Sequence, residues 1–278
     1  MASVATTPAT RRRGSVDLRR QHGFGTTAAL CLVVLYAPIL VLIFYSFNDI
    51  RSVTKWSGFS LEWYVKAFEN EQIQSAAWNS LKIAAFATIV STICATMAAL
   101  ATTRTRPWPG MTASYLVINL PLMVPEIVTA IATLIFFALL HAALGLGFGL
   151  GNLMIAHAVF CIPFAYLPIR ARLEDMDRTL EQAAADLYAT PWQTFRRVTL
   201  PLMMPGITAG ATLAFVVSFD DFTITVLVAG PGQTTLPIYI WTSLRRGISP
   251  EINAMSSILL LISVILVTAS FLLGRRRK

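Results

Sequence analysis

Six long apolar stretches, each bounded by polar or charged residues, divide the chain. They cover about residues 26–47, 79–103, 112–140, 152–169, 206–229 and 254–273. A helix of roughly 20 apolar residues crosses a bilayer, so each stretch predicts one membrane span. The third contains Pro121 and Pro125, so it should be kinked or partly unwound. Residues 48–78 mix polar residues with Trp56, Trp63, Tyr64 and Trp78, which suits an external loop at the membrane interface. Gly145, Gly147, Gly149 and Gly151 predict a second external loop, and residues 230–253 a third. The first 25 residues form a polar, Arg-rich tail expected to hold no fixed structure. The first apolar stretch exceeds the roughly 7–15 residues of a signal-peptide core and shows no small-residue cleavage site. It is expected to remain as an uncleaved span.

One polar run interrupts this pattern, from Glu174 to Gly206. Thr179 stands three residues before Gln182, and Thr190 three before Gln193. That is capping-box spacing, in which the hydroxyl takes a backbone N–H and the Gln side chain reaches back to the cap. Pro191 follows Thr190 at the first helical position, where its missing N–H matters least. Pro201 should end the second helix, because its ring clashes with the carbonyl four residues back. The expected result is a helix–turn–helix elbow with one face buried, its apolar residues being Leu180, Leu187, Phe195, Val198 and Leu200.

Composition agrees with a membrane protein. The 278 residues are 55% apolar and 13% charged, against about 25% charged in soluble domains. The net charge of +8 would suit nucleic acid in a soluble protein. Here, however, the basic residues sit at the ends of apolar runs. Sixteen of the 22 Lys and Arg fall on the side that holds both termini and the elbow, the positive-inside pattern of a cytoplasmic face. Cys31, Cys94 and Cys161 lie in apolar runs, and His22, His141 and His157 have no ligand spacing. No metal site is expected. The sequence has no G-x-x-x-x-G-K-[ST], no H-E-x-x-H and no Gly-x-Gly-Asp, so neither ATP binding nor intramembrane hydrolysis is expected of this chain.

Three carboxylates stand in or at the edges of spans: Glu126, Asp220 and Asp221. A lone carboxylate at the bilayer centre costs about 2.5–3.5 kcal/mol on insertion scales. Such groups usually face a bundle interior, a water-filled path or a partner charge. Phe219 and Phe222 flank the aspartates, and aromatic faces attract cations. One reading is a cation path through Glu126, Asp220, Asp221, Phe219 and Phe222. The other is that Asp220 or Asp221 caps or pairs with a helix end or with a partner subunit. Successive helical residues point about 100° apart, so only one aspartate can face a narrow path squarely.

The elbow sequence EQAAADLYATPWQTFRRVTLPLMMPG resembles the EAA loop of importer permeases of the ATP-binding-cassette class. Gln182-Ala183-Ala184 match E-A-A, Val198 the isoleucine, and Leu200-Pro201 the L-P pair. Gln182 replaces the family's Glu, although Glu181 is adjacent, and Tyr188 replaces its usual Gly. The resemblance implies that Glu181, Gln182, Ala183, Ala184, Asp186, Leu187, Tyr188, Leu200 and Pro201 couple to a cytoplasmic ATPase. Further similarity lies in YSFN at 45–48, WSGFSLEWY at 56–64, SFDDFTIT at 218–225, GPGQTTLPIYIWTSLRRG at 230–247 and SPEINA at 249–254. These segments look like the spermidine/putrescine permeases. The implied protein is all-α, with six transmembrane helices and a cytoplasmic coupling elbow, multi-pass in a bacterial inner membrane with both termini cytoplasmic. Its implied domains are a disordered basic tail, 1–25, and a permease domain, 26–278. Implied partners are a second permease chain, an ATPase pair that carries ATP and Mg, and a periplasmic polyamine-binding protein. This chain itself is expected to bind no cofactor. The elbow alone leaves other cargoes open, among them another organic cation, an amino-acid derivative or a metal chelate. An intramembrane enzyme is the remote alternative.

Overall fold

The protein is described by a computed structural model over residues 22–50, 52, 55–145, 149–246 and 250–275. Most of the Arg-rich tail, Arg51, Gly147 and the closing Arg276, Arg277 and Lys278 lie outside the described residues. Among the described residues the regular elements are helices, with one isolated bridge pairing Asn48 and Phe59. The described residues divide into two compact units between Phe44 and Tyr45. The first contains nearly all of α1 (His22–Tyr45), whose span Gly25–Tyr45 has a mean hydropathy of 2.7.

The second unit begins with α2 (Glu62–Glu69), α3 (Glu71–Thr103), α4 (Met111–Met123), α5 (Glu126–Leu144) and α6 (Leu150–Glu174). The elbow carries α7 (Thr179–Asp186) and α8 (Pro191–Thr194). Then come α9 (Leu200–Asp220), α10 (Thr223–Val228), α11 (Leu236–Arg246) and α12 (Pro250–Arg275). Among the described residues six helical segments are long and apolar enough to cross a membrane: those in α1, α3, α5, α6, Pro191–Asp220 and α12.

Several predicted boundaries shift, each for a local reason. Residues 71–78 belong to the 33-residue α3 rather than to a loop. Asn70 starts that helix early, because its side chain accepts from the backbone N–H of Gln72 and Ile73. The apolar stretch 112–140 is two helices, not one kinked span. Val124 and Pro125 are both extended (ψ 137° and 133°), as expected where Pro pushes its predecessor out of the helical region. Only α5 is long enough to span. Residues 236–246 form the amphipathic α11 rather than loop, and α12 starts at Pro250.

Pro201 does not end its helix. The chain is helical without a break from Pro191 to Asp220, because Phe195–Thr199 widens into a π-helical turn. There the Leu200 N–H reaches back five residues to the Phe195 carbonyl. Widening the turn ahead of a proline makes room for its ring and its missing donor.

The core is built on α3, α6 and α9, which pack against one another. Lipid offers no hydrophobic drive between helices, so close contact depends on small residues. Helix α3 buries Ala84, Ala87, Ser91, Ala95 and Ala99. Helix α9 presents Gly206 and Gly210, a Gly-x-x-x-Gly pair, to α6. A Cβ at Gly210 would lie 2.6 Å from the Ala165 carbonyl oxygen, and one at Gly206 would lie 2.6 Å from Arg172 Cβ. Tyr166, Ile169 and Leu173 of α6 and Met203 of α9 are fully buried in this seam.

The seam gives a stability prediction. Gly210→Ala should destabilise the fold by about 1–3 kcal/mol, the usual range for overpacking, and lower the unfolding temperature in detergent. An unchanged temperature would contradict the close approach of α9 to α6.

Candidate functional site

Two places gather the residues singled out by the sequence, and the first is the elbow. Its second half starts as predicted. Thr190 Oγ1 accepts from Gln193 N–H (3.3 Å), and Gln193 Oε1 accepts from Thr190 N–H (2.9 Å). Pro191 occupies the first turn of this capping box. The first half differs from expectation, because no side chain of the Thr179/Gln182 pair caps α7. Asp177 does so instead, accepting from Thr179 N–H at 2.9 Å. That backbone bond, with a side-chain bond from Thr179, holds the Asp177 carboxyl below its ordinary range.

Helix α7 ends at Tyr188, the only described non-glycine residue with positive φ (59°). Tyr188 N–H donates to Ala185 O and Ala189 N–H to Ala184 O. This is the Schellman pair of bonds, in which the left-handed position normally belongs to Gly. A Tyr there is strained by roughly 1–2 kcal/mol, and its ring does not pack to offset it: Tyr188 is 96% exposed. Leu187 and Trp192 are 81% and 66% exposed. Leu180 is also exposed, whereas Phe195, Val198 and Leu200 are half-buried, so only part of the apolar face expected to be buried stands open. Gln182, Ala183 and Asp186 are exposed and Ala184 is half-buried. Leu200 is half-buried and Pro201 exposed, both at the start of α9.

Glu181 faces the other way. Its carboxylate accepts from Arg104 Nε, at the end of α3, at 3.1 Å, and from Thr199 Oγ1 at 2.9 Å. Arg178 also donates to the Thr103 carbonyl. These bonds tie α7 to the end of α3 and to the root of α9. Glu181 thus braces the elbow from within, while Leu187, Tyr188 and Trp192 form its outer surface.

The second place is the corner where α9 stops and α10 begins. The two aspartates part here. Asp221 is extended (ψ 129°) and buried. Its carboxylate accepts from Thr225 N–H (2.9 Å), Thr225 Oγ1 (2.8 Å) and, more loosely, Ile224 N–H (3.4 Å), and so caps α10. Helix α5 packs against α10, and Glu126, in its first turn, has Asp221 and Thr223 beside its carboxyl. Glu126 itself is exposed.

Asp220 is exposed and lines a cavity of about 530 Å³ between α9, α11 and α12. Phe222, Trp241, Ser256 and Ser263 line it too. The Phe222 and Trp241 rings lie 5.4 Å apart, and the Arg245 guanidinium stands 5.4 Å from the Trp241 ring. Phe219 is buried, stacks on Phe215 at 5.5 Å and borders a separate apolar cavity. Among the described residues no group of His, Cys, Asp and Glu has metal-site geometry.

Residues 91–276 match the family model described as the inner membrane component of binding-protein-dependent transport systems. This chain belongs to that family. The permease is 39% identical over 247 residues to the putrescine transport system permease protein PotI of Escherichia coli (strain K12), covering 88% of each chain. It is 36% identical over 241 residues to the spermidine/putrescine transport system permease protein PotC of the same strain, covering 87% of this chain and 89% of that one. Its fold is that of a bacterial ABC transporter involved in the import of the acidic polysaccharide alginate (TM-score 0.72, 18% identity, 90% of this chain and 93% of that chain). The permease is therefore a transport component and not an enzyme.

Sequence reasoning missed His157, Arg104 and Trp241. His157 reaches the Asp221 corner, as detailed below. Its signal was present, as the one imidazole inside α6, but spacing searches for metal ligands pass over a lone His. Arg104 read only as a topology charge. Its prediction follows from the brace: Arg104→Leu should raise tryptic cleavage after Arg196 and Arg197 at least severalfold in the detergent-solubilised permease. Equal cleavage rates would remove the brace.

Proposed function

We propose that this chain is the permease subunit of an ATP-driven polyamine importer. The observation that carries the reading is the exposed Asp220 in an aromatic-lined cavity, in a chain 39% identical to a putrescine permease. Putrescine and spermidine are flexible polycations. A carboxylate beside aromatic rings supplies the attraction they need, by charge and by cation–π contact. Asp220, Phe222 and Trp241 meet the cargo in one cavity, with Glu126 contributing a second accessible carboxylate at the α5–α10 contact. Asp221 shapes the corner from the buried side.

The elbow docks on a cytoplasmic ATPase through Leu187, Tyr188 and Trp192. Exposed aromatic residues of this kind serve as interface anchors. The strained Tyr188 fits this role, because strain retained in a fold clusters at functional positions. A second permease chain completes the path, a binding protein delivers the cargo from outside, and both termini lie in the cytoplasm with the elbow. ATP and Mg are held by the ATPase. Its closure moves the elbow, the spans open outward to accept the polyamine, and hydrolysis resets them.

Reconstitution with the ATPase, the second permease and the binding protein tests the cargo. Putrescine or spermidine should stimulate ATP hydrolysis and be taken up, and Asp220→Asn should lower uptake at least tenfold. Stimulation by another solute, with none by either polyamine, would discard the cargo and keep the importer. The docking face has its own check. A cysteine at Leu187 should cross-link to the ATPase in the assembled complex, whereas one at Glu181, turned inward, should not. Cross-linking at 181 alone would reverse the assignment of faces.

A further inference from the structure

A helix that breaks among packed spans needs a brace from outside itself, since no water is at hand to satisfy its freed groups. At the α9–α10 corner the brace comes from α6. His157 is 1% exposed, and its ring bridges the break. Nδ1 lies 2.9 Å from Ser218 Oγ, in the last turn of α9. Nε2 lies 3.0 Å from Thr225 Oγ1, in the first turn of α10, and 3.4 Å from Asp221 Oδ2.

The proton positions follow from the partners. The Thr225 hydroxyl donates to Asp221 Oδ2 at 2.8 Å, so its oxygen is left to accept. The ring therefore donates from Nε2, and Nδ1 accepts the Ser218 hydroxyl. A neutral imidazole satisfies all four side chains, and no apolar residue could join the two helix ends in this way. At this corner Asp221 is turned inward toward α6, whereas its neighbour Asp220 lines the cavity beside Phe222 and Trp241.

We propose that His157 is a positioning residue for transport: by joining Ser218 to Thr225 and Asp221 it fixes the helix break that presents Asp220 to the cargo. His157 never meets the cargo; it acts through the direction of Asp220. This rests on the reading that Asp220 contacts the polyamine, and the experiment separates the two.

The measurement is putrescine taken up per ATP hydrolysed, in the full reconstituted complex at equal amounts of assembled protein. His157→Leu, which keeps bulk and loses both bonds, should lower this ratio at least tenfold. His157→Gln, which keeps one donor and one acceptor, should restore part of it. The double variant His157→Leu/Asp220→Asn should be no worse than the more impaired single variant, because both act on one contact. Thiol labelling of Asp220→Cys by a charged methanethiosulfonate should slow severalfold when His157→Leu is added. Should His157→Leu fail to assemble, Thr225→Val, which keeps the ring and removes its hold on α10, is read in the same way.

An unchanged ratio and unchanged labelling, with Asp220→Asn impaired, would overturn the inference and leave the cargo contact standing. Uptake and hydrolysis falling together in proportion would make His157 a general structural residue and also overturn it. If Asp220→Asn transports normally, the cargo contact itself is wrong, whatever His157 does.

Discussion

Backbone satisfaction in an apolar medium is the constraint on which this structure depends. Inside a bilayer every N–H and C=O must find a partner within the protein, so a helix can be interrupted only where side chains fill the gap. The chain interrupts its spanning region twice, at Val124–Pro125 and at Asp221–Phe222. The helices that restart after the two breaks, α5 and α10, pack against each other. Each restarted helix carries a carboxylate at its beginning, Glu126 on one side and Asp221 on the other. Acidic groups favour helix N-termini, where the backbone dipoles leave positive charge. Part of the reason for acids in this membrane protein is thus architectural.

The same economy governs the packing. Helices α3, α6 and α9 approach closely because α3 offers Ala and Ser and α9 offers Gly where they meet the larger side chains of α6. Polar side chains then fix register where small residues cannot. His157 does so at the corner. The Tyr166 hydroxyl, 2.8 Å from Thr102 Oγ1, does so between α6 and α3. Near the elbow the arrangement changes character, and charged groups take over in Arg104, Glu181 and Arg172, whose Nε donates to the Leu202 carbonyl at 3.0 Å.

Much of this was legible in the sequence, and the failures have physical causes. Apolar runs gave six spans, and Thr190-Pro191-x-Gln193 gave the start of α8, because caps are local and need no tertiary information. Boundaries failed where a polar residue began a helix early, as Asn70 does. They also failed where a widened, π-helical turn let a proline stay inside one, as at Pro201. The difference between Asp220 and Asp221 could not be read, since both share one apolar run. It appears only when His157, more than 60 positions earlier, reaches one of them. Glu181 belongs to the same class: its sequence neighbours face outward, and only Arg104 shows that it turns in.

The π-helical turn at Phe195–Thr199 makes the elbow and the fifth span one object. Thirty residues run as a single helix from Pro191 to Asp220, about 45 Å at 1.5 Å per residue. Had Pro201 ended the first piece, a swing at the outer end could have dissipated in a loop. Instead the helix runs through, and a tilt of one degree about either end displaces the other by about 0.8 Å, from the same helical rise. The far end of that rod is the corner that carries the two aspartates. One continuous helix thus joins Trp192 to the only spot along its length where an acidic side chain meets the cavity.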